Sequence, residues 1–480
     1  MKKLLFTFLL VSCLLSNSFA EDNSAKIRVL ILDSGTDLTH PKLNPIADPD
    51  LAEKNGTKGK DDNGNGYIDD VYGWNFPDNS PLLVDLKNTP KRYDDILRFM
   101  ELMGKFQQVG KDKMKPDEFQ QLKVLYNDKE LKPWINYVGG WAHGTHCGGI
   151  AARNNKSISM KGVKHIPTGN APIKQAAKLL QKLNFELLQD NFSGTAGFGS
   201  FIKKKVILAG FKKMGKTEAE KIKPEADYLA SLKPRVVNCS FGAPNENLLK
   251  MFKQNMPKWG YKNPSDKEVQ EFVNKFVTLA FLPRDKALFS PLKNALIVFA
   301  AGNSSENMDP VVGSPNNTPI DNKIVVAATN KNKSLATFSC YGKKNVDVAV
   351  PGVNINSTFP NKKEGYMSGT SMAAPLAAKY ASLIFAVNPK FTPVQVKSIL
   401  MGTVDKKPWL KEKVKSGGVI NIKRALAAAK ALKAGKSLSK AIMQSFIDVA
   451  ATASTRPEGD AVEPKFKTAF EKELYKSSLH

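Results

Sequence analysis

The sequence predicts an α/β layered fold built on a mostly parallel sheet. Three observations carry that reading. Short, nearly continuous apolar and β-branched runs recur along the chain, as strands buried on both faces do. Stretches of helical periodicity lie between and after them. Residue types able to do chemistry stand at the ends of these runs, which is where folds of this class place their sites.

In chain order, the runs are residues 26–32, 235–240, 295–300, 323–328 and 346–350. The clearest helices are 371–387, rich in Ala and Leu, and 392–401, apolar at helical spacing. Two segments interrupt the pattern. Residues from about 86 to 137 are charged and mostly helical in period, and those from about 165 to 232 are Lys-rich and helical. The second segment holds a Gly-rich patch at 193–199, but no strand precedes it and no Gly-Lys-Ser/Thr follows, so it is not read as a phosphate loop. Residues 431–480 form a polar C-terminal extension.

Composition narrows the class. With 42% hydrophobic and 24% charged residues among 480, the chain is neither collagen-like nor a coiled coil nor mainly disordered. Four cysteines exclude a disulfide scaffold. The net charge is +26, but 63 of the 71 basic residues are Lys and only 8 are Arg. Nucleic-acid grooves favour Arg forks and stacked aromatics. These lysines are scattered through polar stretches, so they are read as a solvated basic surface and no nucleic-acid partner is expected.

Residues 1–20 read as an export signal: Lys2 and Lys3, an apolar core, then Ser18-Phe19-Ala20 as a cleavage site. Leu10-Val11-Ser12-Cys13 also fits a lipoprotein signal, which would keep Cys13 as a lipid anchor. Either way the expected location is periplasm, envelope or medium. After cleavage at Ala20, Cys147, Cys239 and Cys340 remain, so at least one thiol is unpaired within the chain. Beyond the leader no apolar run reads as a bilayer span, which needs ~20 residues.

Three segments carry chemistry. The first run ends in Asp33-Ser34-Gly35. The second segment is His143-Gly144-Thr145-His146-Cys147, followed by small residues. The third is Gly369-Thr370-Ser371-Met372-Ala373-Ala374-Pro375, with Ser371 at a helix start, where free N–H groups and the positive helix end face its oxygen. A serine hydroxyl attacks a carbonyl only when an imidazole takes its proton, and that imidazole needs a carboxylate to fix its tautomer. The chain order Asp, His, Ser matches one of the convergent triad orders. Only five histidines exist: His40, His143, His146, His165 and His480. His40 precedes Pro41 in a turn, His480 is terminal, His165 has no evident partner, and His146 reads as a packing residue, which leaves His143 as the best base.

These motifs resemble those of the subtilisin-like serine proteases, the subtilase or peptidase S8 family. The resemblance covers roughly residues 26–428 apart from the two insertions. Asn238-Cys239-Ser240-Phe241-Gly242 resembles the family's substrate-pairing strand, Ala300-Ala301-Gly302-Asn303 its oxyanion motif, and Cys147 the proteinase K-like branch. It implies a three-layer subtilisin-like fold with helical insertions, a peptidase domain over 21–430, and an exported serine endopeptidase acting on proteins or peptides as a monomer. It further implies Ser371 as nucleophile, His143 as general base and acid, Asp33 as orienting carboxylate and Asn303 as oxyanion donor. Substrate would lie against Ser240, Phe241, Gly242, Ala301 and Gly302. None of these wall residues is acidic, so an apolar preference is expected. Many members carry a folded propeptide, and the twelve residues between Ala20 and Asp33 are too few for one. The first insertion, near His143, is expected to shape the cleft.

The loop 61–70 alternates oxygen-bearing residues, with Gly at the turn, as a calcium loop does. Asp61, Asn63, Asn65 and Asp69 are the candidate ligands. A solvated Asn/Gly turn is the competing reading, and position twelve is Tyr72 where an EF-hand has Glu. No cofactor is needed for the chemistry itself. Two further functions fit the same motifs: a non-catalytic binding protein on this scaffold, and a peptide ligase or macrocyclase in which an amine resolves the acyl intermediate.

Overall fold

The structure is a computed structural model and describes residues 26–168, 177, 181, 200–242 and 245–452. The leader, the Gly-rich patch and most of the C-terminal extension lie outside the described residues.

The centre is an eight-stranded sheet. Its strands in chain order are β1 (Ile27–Asp33), β2 (Ile158–Lys164), β3 (Val236–Cys239), β4 (Leu296–Ala300), β5 (Lys323–Thr329), β6 (Val348–Pro351), β9 (Asp405–Lys406) and β10 (Gly418–Val419). A separate antiparallel hairpin joins β7 (Ile355–Phe359) to β8 (Lys363–Met367). The spatial order is β2-β1-β3-β4-β5-β6-β10-β9. All neighbours are parallel except β9 with β10. The five runs expected from sequence all supply strands.

Continuous apolar runs arise because each strand feeds two cores. On β1, Val29 and Ile31 face one core and Leu30 and Leu32 the other. On β4, Leu296 and Val298 face the first, and Ile297 and Phe299 the second. The helices His143–Ala152 and Thr370–Val387 lie together over the first core. Among the described residues one helix, Thr370–Val387, is long and apolar enough to cross a membrane by length and composition. It is mostly buried, however, because it is the central helix of this core.

The segment 86–137 is helical, with Tyr93–Val109, Pro116–Asn127 and Leu131–Trp141, and the last runs through Ala142 into the helix of His143. A third apolar core forms apart from the sheet. There Phe211, on the helix Ser200–Lys221, meets Phe252, Trp259 and Phe276 of residues 245–289, edge to face or tilted. Its partner helices follow β3, beyond the segment expected from sequence.

Candidate active site

Asp33 ends β1 and is fully buried. Its Oδ1 accepts the Ser34 N–H at 2.7 Å and the Nδ1–H of His143 at 2.7 Å. A carboxylate can only accept, so this bond places the ring proton on Nδ1 and leaves Nε2 as the free base nitrogen. Oδ2 is buried without a partner among the described residues. Gly144 makes the approach possible: a Cβ there would stand 2.2 Å from the Gly35 carbonyl oxygen and 3.1 Å from the Asp33 Cβ. Burial alone would lower the His143 pKa, but the charge of Asp33 and its hydrogen bond outweigh that and hold it well above the usual histidine value.

Cys147 sits one turn further along, with Sγ 3.9 Å from His143 Nδ1. It is buried, and burial pushes its thiol up, so it is a neutral packed thiol and not a nucleophile. All three described cysteines are free. His146 packs as expected. Its Nε2 reaches the carbonyls of Ile355 (3.0 Å) and Gly365 (3.3 Å), and burial lowers its pKa to about 3. It therefore ties the hairpin β7–β8 to the helix as a neutral ring.

Ser371 lies in the first turn of Thr370–Val387. An unbroken helix would bind its carbonyl to the N–H four residues on, but residue 375 is proline and has no N–H. That carbonyl accepts instead from Ser240 Oγ at 2.9 Å and Cys147 S–H at 3.4 Å. Asn238 Nδ2 in turn donates to Ser240 Oγ (3.0 Å). The Ser371 hydroxyl donates to the Ser240 carbonyl at 3.2 Å, so in this structure it is turned toward β3.

Asn303 follows β4, beyond Gly302, whose φ is +111°. Its Oδ1 accepts the N–H and the hydroxyl of Thr370, each at 2.9 Å. With the oxygen held as a helix cap, the amide nitrogen is left beside Gly369, 3.4 Å from where a Cβ there would stand. A cavity of about 560 Å³ opens from Ser371 and Asn303 between two walls, Ser240-Phe241-Gly242 and Ala300-Ala301-Gly302. Seven of the nine expected residues, Ser240, Phe241, Gly242, Ala301, Gly302, Asn303 and Ser371, line this cavity. Asp33 and His143 do not line it, and the link to Ser371 runs through Cys147, whose Sγ is 3.9 Å from His143 Nδ1 and 3.4 Å from the Ser371 carbonyl.

One expectation is extended and another is corrected. The cavity does contain carboxylates, Glu246 and Glu306, which stand a few residues past the motifs and so escaped a reading confined to them. His165 does have partners: Nδ1 lies 2.6 Å from Glu225 Oε1, and Arg284 Nη2 lies 3.3 Å from Nε2. The first insertion contributes no lining to this cavity among the described residues. Instead it flanks the base side, where Ser34 Oγ donates to the Gly140 carbonyl (2.6 Å).

The calcium candidates share one surface loop. Asp61 accepts Asn65 N–H (3.1 Å) and Gly66 N–H (2.7 Å), Asn63 Oδ1 accepts Asn65 N–H, Asn65 Oδ1 accepts Tyr67 N–H, and Asp69 accepts Gly59 N–H. Glu53, which sequence reading missed, accepts the N–H groups of Asp62, Asn63 and Asp69. Asp70 Oδ1, also missed, is buried without a partner among the described residues, while its Oδ2 accepts Tyr228 O–H at 2.7 Å. Hard oxygen donors and one orphaned carboxylate oxygen suit a hard cation. The only described trio of His, Cys, Asp or Glu ligand atoms within 4.8 Å of one another is Asp33, His143 and Cys147, so these loop carboxylates are not gathered into one cluster.

A sequence model of the subtilase family matches residues 24–420. The chain is 26% identical over 403 residues to subtilisin-like protease 1 of Plasmodium vivax, covering 84% of this chain and 47% of that one. It is 44% identical over 114 residues to the cell wall-associated protease of Bacillus subtilis strain 168, covering 23% and 12%. The chain spans about half the length of the first of these relatives. Among solved structures, a cold-adapted subtilisin-like serine proteinase aligns at 17% identity and a TM-score of 0.42, covering 82% of this chain and 86% of that one.

Proposed function

The chain belongs to the subtilase family, and from that premise we propose that it is an exported serine endopeptidase. Peptide bonds are cleaved through an acyl-enzyme formed on Ser371. The observation that carries this reading is the 2.7 Å bond from His143 Nδ1 to Asp33, on a helix whose Cys147 also bonds the carbonyl of Ser371.

The Ser371 hydroxyl leaves the Ser240 carbonyl and turns to His143 Nε2. As it attacks, its proton passes to Nε2 and the ring becomes an imidazolium held by Asp33. The carbonyl oxygen gains negative charge between Asn303 Nδ2 and the Ser371 N–H. His143 then gives the proton to the leaving amine, and water releases the acyl group by the reverse path. A fluorophosphonate probe on the full chain tests the reading. It is expected to phosphonylate Ser371 and abolish peptide cleavage, and failure to react at Ser371 would remove the proposal.

Asn303→Ala is expected to lower kcat by about 10²–10³-fold with little change in KM, since the lost donor acts only on the transition state. Losing its cap on Thr370 adds roughly 1 kcal/mol of destabilisation. Steady-state kinetics with a peptide substrate would show a KM-dominated loss if the amide only positioned substrate.

We also propose a structural calcium ion at this loop, which would draw oxygens of Asp61, Asn63, Asn65 and Asp69 toward one another and supply a cross-link, no step of the chemistry. Chelation is expected to lower the melting temperature by roughly 1 °C for each kcal/mol of lost binding energy in a domain of this size. An identical melting curve with excess chelator and with added calcium would leave the solvated-turn reading.

A further inference from the structure

We propose that Glu306 makes the cavity beside Ser371 a receptor for a lysine or arginine side chain, so that cleavage falls after basic residues. This rests on the peptidase reading above and assigns its substrate class. The cavity opens between Ser371 and Asn303, so the side chain that enters belongs to the residue whose carbonyl is attacked. At about 560 Å³ it has room for a long side chain. Ala301, Met308 and Cys340 line it and give an aliphatic stem apolar contact.

The charge balance decides what the tip should be. Lys250 Nζ and Glu246 Oε1 are 2.6 Å apart, so those two lining charges offset each other. Glu306 has no ion pair among the described residues. Its Oε2 accepts from Ser304 Oγ at 2.8 Å and its Oε1 from Asn245 Nδ2 at 3.0 Å. Both donors are neutral: they orient the carboxylate without cancelling its charge. Each oxygen keeps a second lone pair for an ammonium or guanidinium group. A neutral guest would strip water from that carboxylate and return nothing, and an acidic guest would add repulsion.

The test uses peptides identical except at the residue before the scissile bond, which is Lys, Arg, Leu, Phe or Glu. Rates are normalised to active sites titrated with fluorophosphonate, so folding of each variant is reported separately. Lys and Arg are expected to exceed Leu in kcat/KM by at least about tenfold, with Glu the poorest. Glu306→Gln should compress the Lys-to-Leu ratio by about tenfold or more, and Glu306→Lys should move the preference toward Glu. Leu or Phe equalling Lys in the wild type, or a Lys-to-Leu ratio unmoved in Glu306→Gln, overturns the assignment. Full titration with either outcome leaves the peptidase reading standing, whereas no titration at all removes both.

Discussion

Ser371→Ala is expected to lower kcat for peptide hydrolysis by about 10⁶-fold, the magnitude known for the same substitution class in subtilisin, a member of this family. KM should stay within a few-fold, because the walls formed by Ser240–Gly242 and Ala300–Gly302 do not depend on the hydroxyl. The fold should survive: the Ser371 carbonyl, not its side chain, receives the bonds from Ser240 and Cys147, and alanine is a good helix former. The lost hydroxyl bond to the Ser240 carbonyl is a single part-buried contact. The measurement is single-turnover hydrolysis with protein judged folded by its melting curve. Cleavage near the wild-type rate would move the nucleophile elsewhere.

Asp33→Asn is the second large effect, about 10⁴-fold in kcat. An asparagine presents an amide or a carbonyl to Nδ1, so the ring is no longer held with its proton on that nitrogen and Nε2 ceases to be the dependable base. The pH profile separates this from simple damage. In the wild type the base form is needed, so kcat/KM should fall as pH drops through the His143 pKa, which Asp33 holds above the usual histidine value. Removing the carboxylate leaves burial as the main cause, and burial favours the neutral ring. The inflection should therefore move to lower pH even as the plateau collapses. The same raised pKa has a stability sign. It stabilises the fold fully below the unfolded-state histidine pKa, and that contribution fades as pH rises through the folded value. An inflection that stays in place in Asp33→Asn would contradict the pairing.

The site was legible where chemistry is written locally. Gly369 to Pro375 and His143 to Cys147 are contiguous, and each puts its reactive group in a helix's first turn. The sheet was legible where both faces are apolar, as in β1 and β4. β2 was not, because Lys161 and Lys164 break its run. The fold still buries them: Lys161 Nζ reaches the Val71 carbonyl at 3.4 Å and Lys164 Nζ reaches Asp78 at 2.9 Å. Pairings across long separations were equally hidden. His165 and Glu225 are 60 residues apart, and nothing at either position announces the other. The third core escaped because Phe252, Phe272 and Phe276 are spaced among lysines and glutamates, so the segment reads as polar until Phe211 arrives from another helix. Glu306 escaped for a plainer reason: the motif stops at Asn303, and the cavity does not.

Pro375 bears on how such an enzyme could be made safely. Because its helix offers the serine's carbonyl no partner, the reactive residue is anchored only when the end of β3 and the helix of His143 have both docked against it. A nascent or half-assembled chain has neither contact, so it presents no aligned nucleophile to its unfolded siblings. On the proposed chemistry, an aligned nucleophile therefore requires tertiary assembly, and immaturity is its own restraint.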